Sequence, residues 1–199
     1  MTESATPRGR PRDPRVDRTV RQAVRDALAE TGYAGLTVDA IAARAGVGKA
    51  AIYRRFGSKA ELAFAAAVHD IDVTAPPDTG SLVGDLYALA RIVQARAANP
   101  VAREVIPALV AELGRNPALA EQFRGRFLDI ERADFTEICA RAVRRGELPG
   151  PVRPDIAHLM LAGPHFAALY AFHVPVDDAL LLDFARAAAS ALKTLAVSP

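Results

Sequence analysis

LTVDAIAARAGVGKAAIYRRFGSKAEL, from Leu36 to Leu62, is divided into three short helical segments by Gly46 and Gly57. Thr37 carries the side-chain oxygen that an N-cap needs. Val38, Ile41, Ala42 and Ala45 then recur at helical spacing until Gly46, which is free to adopt the left-handed conformation, stops the helix. A tight turn over residues 45–48 starts a second helix, capped by Gly48 less well than Ser or Thr would cap it. At about 3.6 residues per turn, Ile52 and Phe56 share an inward face while Ala50 and Arg54 point the opposite way. Lys49 and Tyr53 flank the outward face on one side, Arg55 on the other. A Lys, a Tyr and two Arg on so short a helix are costly to pack and well suited to gripping phosphate. Two helices joined by a tight turn, the second presenting cations, read as a helix-turn-helix with Lys49 to Phe56 as the recognition helix.

The whole chain has 199 residues, 51% hydrophobic and 24% charged, enough to bury a core and typical of a folded globular protein. Its single cysteine, Cys139, excludes an intrachain disulfide and a Cys-based zinc framework, which suits a reducing cytosol. No apolar segment of signal-peptide type opens the sequence. The longest apolar run, His158 to Val174, is a poor membrane span because three His and a Gly-Pro pair interrupt it. A cytoplasmic location without membrane attachment is expected. The net charge of +2 conceals an asymmetry: residues 1–59 hold 12 Lys plus Arg against 6 Asp plus Glu, and the remainder holds 13 against 17. A basic module on a mildly acidic body is the charge pattern of a protein that meets a polyanion at one end.

Residues 1–13 offer no periodic apolar face and read as a flexible basic arm. Within it, Pro7-Arg8-Gly9-Arg10-Pro11 resembles the core of an AT-hook, in which arginines lie in the narrow minor groove of A·T-rich DNA. A solvated basic tail is the plain alternative; the position just before a helix-turn-helix favours Arg8 and Arg10 as groove contacts. Asp13-Pro14 then starts a helix, with Val16, Val20, Ala23, Val24, Ala27 and Leu28 on one stripe and Gly32 at its end. That stripe is expected to close a three-helix core with Val38, Ile41, Ile52 and Phe56. Ser58-Lys59-Ala60-Glu61 fits a capping box opening the next helix, and its N-terminus beside Lys59 suits a phosphate.

Gly32-Tyr33, Leu36-Thr37, Ile41-Ala42, Ala45-Gly46-Val47, Ile52-Tyr53, Phe56, Ser58-Lys59 and Glu61-Leu62 together closely resemble the DNA-binding domain of TetR-family transcriptional regulators. The likeness covers about the first third of the chain, collinear and without gaps. Gly48 stands where that family commonly has Ser or Thr, and Ala50-Ala51 is smaller than usual. On this reading Thr37, Tyr53, Arg54 and Lys59 hold phosphates of a double-stranded operator, with Gly48, Lys49 and Ala50 near base edges.

Beyond Pro76-Pro77 the chain reads as helices over residues 81–98, 101–113, 118–145, 155–172 and 177–195, with Pro107 inside the second of these. The expected fold is all-α: an N-terminal helix-turn-helix domain, with its linking helix over 14–75, and a C-terminal helical bundle over 76–199, about nine helices in all. Leu180, Leu181, Phe184, Ala188, Ala191, Leu192 and Leu195 form a broad apolar stripe that suggests a subunit interface. The resemblance implies the same, a homodimer joined by its last two helices. It also implies an unknown small-molecule effector that enters the central helices and shifts the separation of the two heads. Phe64, Tyr87, Arg91, Phe127, His165, Phe166 and Tyr170 are candidates to line its pocket.

No catalytic constellation, cofactor motif or metal site is legible. His158 and His165 lie about 10 Å apart along one helix, too far to share a metal ion. The expected function is a DNA-binding transcriptional regulator, a repressor on a pseudo-palindromic operator released by its effector. The alternatives are a sequence-tolerant architectural DNA binder and, more remotely, an enzyme using the C-terminal cavity.

Overall fold

The first helix, α1 (Pro14–Gly35), buries the stripe that its spacing lays out: Val20, Ala23, Val24, Ala27 and Leu28 all face inward. Its regular backbone ends at Gly32, whose φ of 66° and ψ of −178° leave the helical region. These are features of a computed structural model that describes residues 14–66 and 77–196, without the side chains of Pro14, Arg126, Phe127, Asp129 and Ile130.

α2 (Val38–Ala45) begins where Thr37 Oγ1 accepts a hydrogen bond from the Ala40 amide at 3.2 Å. It ends at Gly46 with φ 65°, a left-handed cap that any other residue would strain. α3 (Lys49–Tyr53) and α4 (Lys59–Phe64) follow. Ile41, Ile52, Phe56 and Leu62 close the head core against Val20 and Val24. Truncating a fully buried Ile such as Ile41 or Ile52 to Ala costs about 2–5 kcal/mol at such sites.

That core does not stop at the head. Val105 and Leu109 of α6 (Pro100–Arg115) and Phe123 of α7 (Pro117–Phe123) belong to the same buried cluster. Gly57 explains how close the join is: a Cβ there would lie 2.6 Å from Leu119 Cδ1 of α7. The expected three-helix core is therefore completed by two helices of the body.

A second core holds α5 (Leu82–Ala97), α8 (Asp129–Arg144), α9 (Pro154–Phe166) and α10 (Asp178–Leu195) together through Leu82, Leu86, Phe135, Ile138, Leu161, Leu181 and Leu192. Among the described residues there are ten α-helices and no strand. The tenth arises because the helix expected over 118–145 is broken by a wide π-helical turn at Arg124–Leu128, dividing it into α7 and α8. Beyond that turn Phe135, Ile138, Cys139 and Ala142 set the inward face, and Val143 lies at the surface. A second π-helical turn, Ala167–Ala171, continues α9. Insertions of this kind inside helices favour functional sites, and both border the cavity described below.

One polar cluster fixes the start of α5 to the end of α8. Asp85 is fully buried; its Oδ1 accepts from the Thr79 amide and hydroxyl, each at 2.7 Å, and its Oδ2 from Arg145 Nη2 at 3.0 Å. Arg141 Nε lies 3.3 Å away, and Glu147 accepts the otherwise unpaired Leu82 amide of α5.

Candidate nucleic-acid interface and internal cavity

The two sides of the second helix-turn-helix element differ as its sequence dictates. Ile52 and Phe56 are buried, while Gly48, Lys49, Ala50, Tyr53 and Arg54 are exposed, Tyr53 with 52% of its surface open. An aromatic residue so exposed gains nothing from the core; its ring and hydroxyl are available to a partner. Lys49 pairs with Asp39 across the turn, with both side chains more than half exposed. Such a pair contributes little to stability and yields readily to a denser negative charge. Arg55 behaves otherwise. Its Nε meets Asp17 Oδ1 at 2.5 Å and its Nη1 donates to the Ala51 carbonyl at 3.1 Å, so it ties α3 to α1 and does not flank the outward face.

Two capped helices, α2 and α4, flank α3 in the chain. Thr37 caps α2 and stays exposed. Ser58 caps α4 by accepting from the Glu61 amide at 3.1 Å, as the capping box requires. Glu61 is fully buried and reaches back to the Gly57 amide at 2.6 Å, one residue before the cap. Lys59 folds over Tyr33: Nζ donates to the Tyr33 carbonyl at 3.1 Å and lies 4.3 Å from the ring centroid. Arg8 and Arg10 lie outside the described residues.

Among the described residues the body holds two adjoining, partly open chambers. The larger, about 220 Å³, is bounded by α4, α6, α7, α9 and both π-helical turns; Phe64, His165, Phe166 and Tyr170 of the expected pocket line it. Tyr87 and Arg91 do not. They lie off the α5 face that carries the lining residues Leu89, Ala90, Val93, Arg96 and Ala97, and Arg91 turns outward to Asp178 at 3.7 Å. The Phe127 side chain is outside the described set. The smaller chamber, about 60 Å³, shares Glu131 with the larger and adds Arg96, Asp134 and His158. Arg96 on α5 and Glu131 and Asp134 on α8 escape sequence reading because charged residues on a helix pass for a solvated face.

Gln94 settles the tautomer of His165. Its Nε2 donates to the Val176 carbonyl at 3.2 Å, so its Oε1 faces His165 Nε2, 2.6 Å away, and His165 is the donor. Burial lowers the pKa of His165 and favours the neutral ring. His158 stacks on Phe135, with centroids 5.2 Å apart, and sits 3.3 Å from Glu131 Oε2. Its pKa is lowered by burial and by the charge of Arg132. Burial drives the Glu131 carboxyl up; Arg96 opposes the rise and Asp134 adds to it. The Tyr170 hydroxyl is buried without a hydrogen-bond partner and its pKa is pushed up to about 12, mainly by burial.

Residues 21–66 match the family model described as bacterial regulatory proteins, tetR family, and residues 76–188 match the one described as Tetracyclin repressor-like, C-terminal domain. The chain belongs to the TetR family of transcriptional regulators. It is 39% identical over 137 residues to the uncharacterized HTH-type transcriptional regulator Rv1556 of Mycobacterium tuberculosis (strain ATCC 25618 / H37Rv), covering 68% of this chain and 67% of that one. It is 32% identical over 160 residues to the DNA-binding transcriptional repressor TetR of Mycobacteroides abscessus, covering 77% and 81%. The crystal structure of the TetR family transcription regulator SCO0332 superposes with a TM-score of 0.73 at 26% identity, over 92% of this chain and 99% of that one.

As a TetR-family member the protein is a DNA-binding transcriptional regulator, and its head is the helix-turn-helix read from residues 36–62. None of the described helices is long and apolar enough to cross a membrane. The stripe expected at a subunit interface divides in two. Leu181, Ala188 and Leu192 are buried within the chain itself, where α10 packs on α5, and present no surface to a partner. Leu180, Phe184 and Ala191 are half-buried and Leu195 is exposed. Leu159, Met160 and Phe172 are exposed as well, Phe172 with 74% of its surface open.

Proposed function

We propose that this regulator is a homodimeric repressor that binds a pseudo-palindromic operator and leaves it when a small molecule occupies the internal cavity. The observation that carries the DNA-binding part is the exposure of Gly48, Lys49, Ala50, Tyr53 and Arg54 on a helix anchored by Ile52 and Phe56. Lys49 and Ala50 meet base edges, the Ala50 methyl suiting a thymine methyl, while Thr37, Tyr53, Arg54 and Lys59 hold phosphates. For Lys59 this means leaving the Tyr33 carbonyl for a phosphate oxygen. Arg8 and Arg10 reach the adjoining minor groove.

Leu159, Met160, Phe172 and Leu195, with Leu180, Phe184 and Ala191, form the face that a second copy covers, placing two heads on one side of the duplex. Two recognition helices then meet half-sites about 34 Å apart, one helical turn, or a multiple of it. The larger chamber supports release by a ligand because α4 and α6 form part of its wall and both pack in the head core. The repressor name of the Mycobacteroides abscessus relative favours repression over activation. The protein acts in the cytoplasm, as regulator and not as enzyme.

Fluorescence anisotropy with labelled DNA from beside its own gene tests the proposal. Tight, salt-sensitive binding to one fragment over a scrambled duplex is expected; equal affinity for both would indicate a sequence-tolerant architectural binder instead.

A further inference from the structure

The two chambers differ in chemistry and share a wall made of Val93, Glu131, Ala162 and His165. Among the described residues lining the larger chamber, Glu131 alone carries a formal charge. His165 donates to Gln94 as a neutral ring, Tyr170 is a phenol, and the rest is hydrocarbon. The smaller chamber adds Asp134 and Arg96, so two carboxylates face one guanidinium where the chambers meet.

Among the described residues, that leaves Glu131 short of a counter-charge. Arg96 offsets only part of the burial that raises its carboxyl, and Asp134 works against it. His158 is 3.3 Å away but is held neutral, and Arg103 and Arg132 act on Tyr170 and His158 from outside the lining. A third of the Glu131 side-chain surface, 33%, nevertheless remains accessible, as befits a wall of two chambers. Around the larger chamber stand four aromatic rings in two pairs, Phe64 with Phe123 and Phe166 with Tyr170, at 5.2 Å and 5.0 Å between centroids. Rings attract both flat apolar bodies and cations. A protonated nitrogen would give Glu131 the full counter-charge that the described residues around it do not supply.

We infer that the effector is an amphipathic organic amine: a ring-bearing apolar body seated in the larger chamber, with a protonated nitrogen paired to Glu131 at the entrance of the smaller one. The inference rests on the reading of this cavity as the effector site. A polar atom on the ring body would satisfy the unpartnered Tyr170 hydroxyl.

Naphthylmethylamine, naphthylmethanol and naphthoic acid share one ring system and are cationic, neutral and anionic at neutral pH. Titrated calorimetrically into the full-length protein without DNA, the amine binds at least about tenfold tighter than the alcohol, as a charge-assisted hydrogen bond implies, and the acid binds weakest. Glu131→Gln removes the amine's advantage and leaves the alcohol's affinity in place. An amine no tighter than the alcohol, an acid that binds tightest, no binding by any of the three, or an advantage that survives Glu131→Gln overturns the inference. Should the variant fail to fold, the ranking in the natural protein decides alone. Because DNA is absent from the titration, an amine that binds but does not release the operator counts against ligand-controlled repression and not against the charge class of the ligand.

Discussion

The Glu104 carboxylate on α6 accepts a hydrogen bond from the Tyr33 amide at 3.1 Å, joining the wall of the internal cavity to the last turn of α1. The Tyr33 carbonyl in turn accepts from Lys59, which opens α4. Ile106, Leu109 and Leu113 on the same α6 line the larger chamber. Movement of α6 therefore reaches a phosphate-binding candidate through a single intervening residue. Helix α6 also contains Pro107, which removes one backbone hydrogen bond from its interior and lowers the cost of bending there.

Glu104→Ala is expected to weaken operator binding by a factor of about two to ten, the range of one lost hydrogen bond, without changing its salt dependence. Glu104→Gln, which keeps an acceptor oxygen, should recover most of the loss. Anisotropy titrations at several salt concentrations check both; a changed salt slope would mean that Glu104 acts on DNA charge instead.

Lys59→Ala and Tyr53→Ala should weaken binding to all DNA sequences alike. For Lys59 the slope of log affinity against log salt should fall by about one, the signature of a lost phosphate contact. An unchanged slope would place Lys59 on Tyr33 permanently, as a brace within the head.

The pKa of Asp85 is lowered. Burial alone would raise it, but the hydrogen bonds from Thr79 and Arg145 and the charge of Arg141 outweigh burial. A carboxyl depressed in the folded state contributes stability above its unfolded pKa, and that contribution disappears as pH falls through the folded value. Stability should therefore decline on acidification below the normal carboxylate range. Asp85→Asn, which leaves two arginines facing a neutral amide, should cost about 3 kcal/mol at neutral pH. It should also flatten the acid limb in denaturation followed by circular dichroism.

Leu159→Asp combined with Leu195→Asp should convert a dimer into a monomer in sedimentation while preserving helicity, because both side chains are already exposed in the single chain. Loss of helicity would mean that they support the fold directly.

Much of this was legible in the sequence. Thr37, Gly46 and Ser58 mark helix boundaries by local chemistry alone, and the structure has each in that role. The inward stripe of α1 and the burial of Ile52 and Phe56 followed from periodicity. Periodicity failed where the helix itself departs from its ordinary pitch. The π-helical turn at Arg124–Leu128 divides the helix expected over residues 118–145 into α7 and α8. Arg55 looked like a DNA contact because its partner, Asp17, is distant in sequence and close only once α1 and α3 pack. The cavity was least legible. Glu131 and Arg96 resemble surface charges until α5, α8 and α9 converge on them, whereas Tyr87 and Arg91 resemble pocket residues and face elsewhere.

Footprinting on the DNA flanking the gene that encodes this chain tests the central claim most directly. The result predicted is one protected, pseudo-palindromic site whose half-sites lie about one helical turn or a multiple of it apart, with protection lost in Tyr53→Ala. Uniform protection of unrelated duplexes, or no protection at any salt concentration, would contradict it.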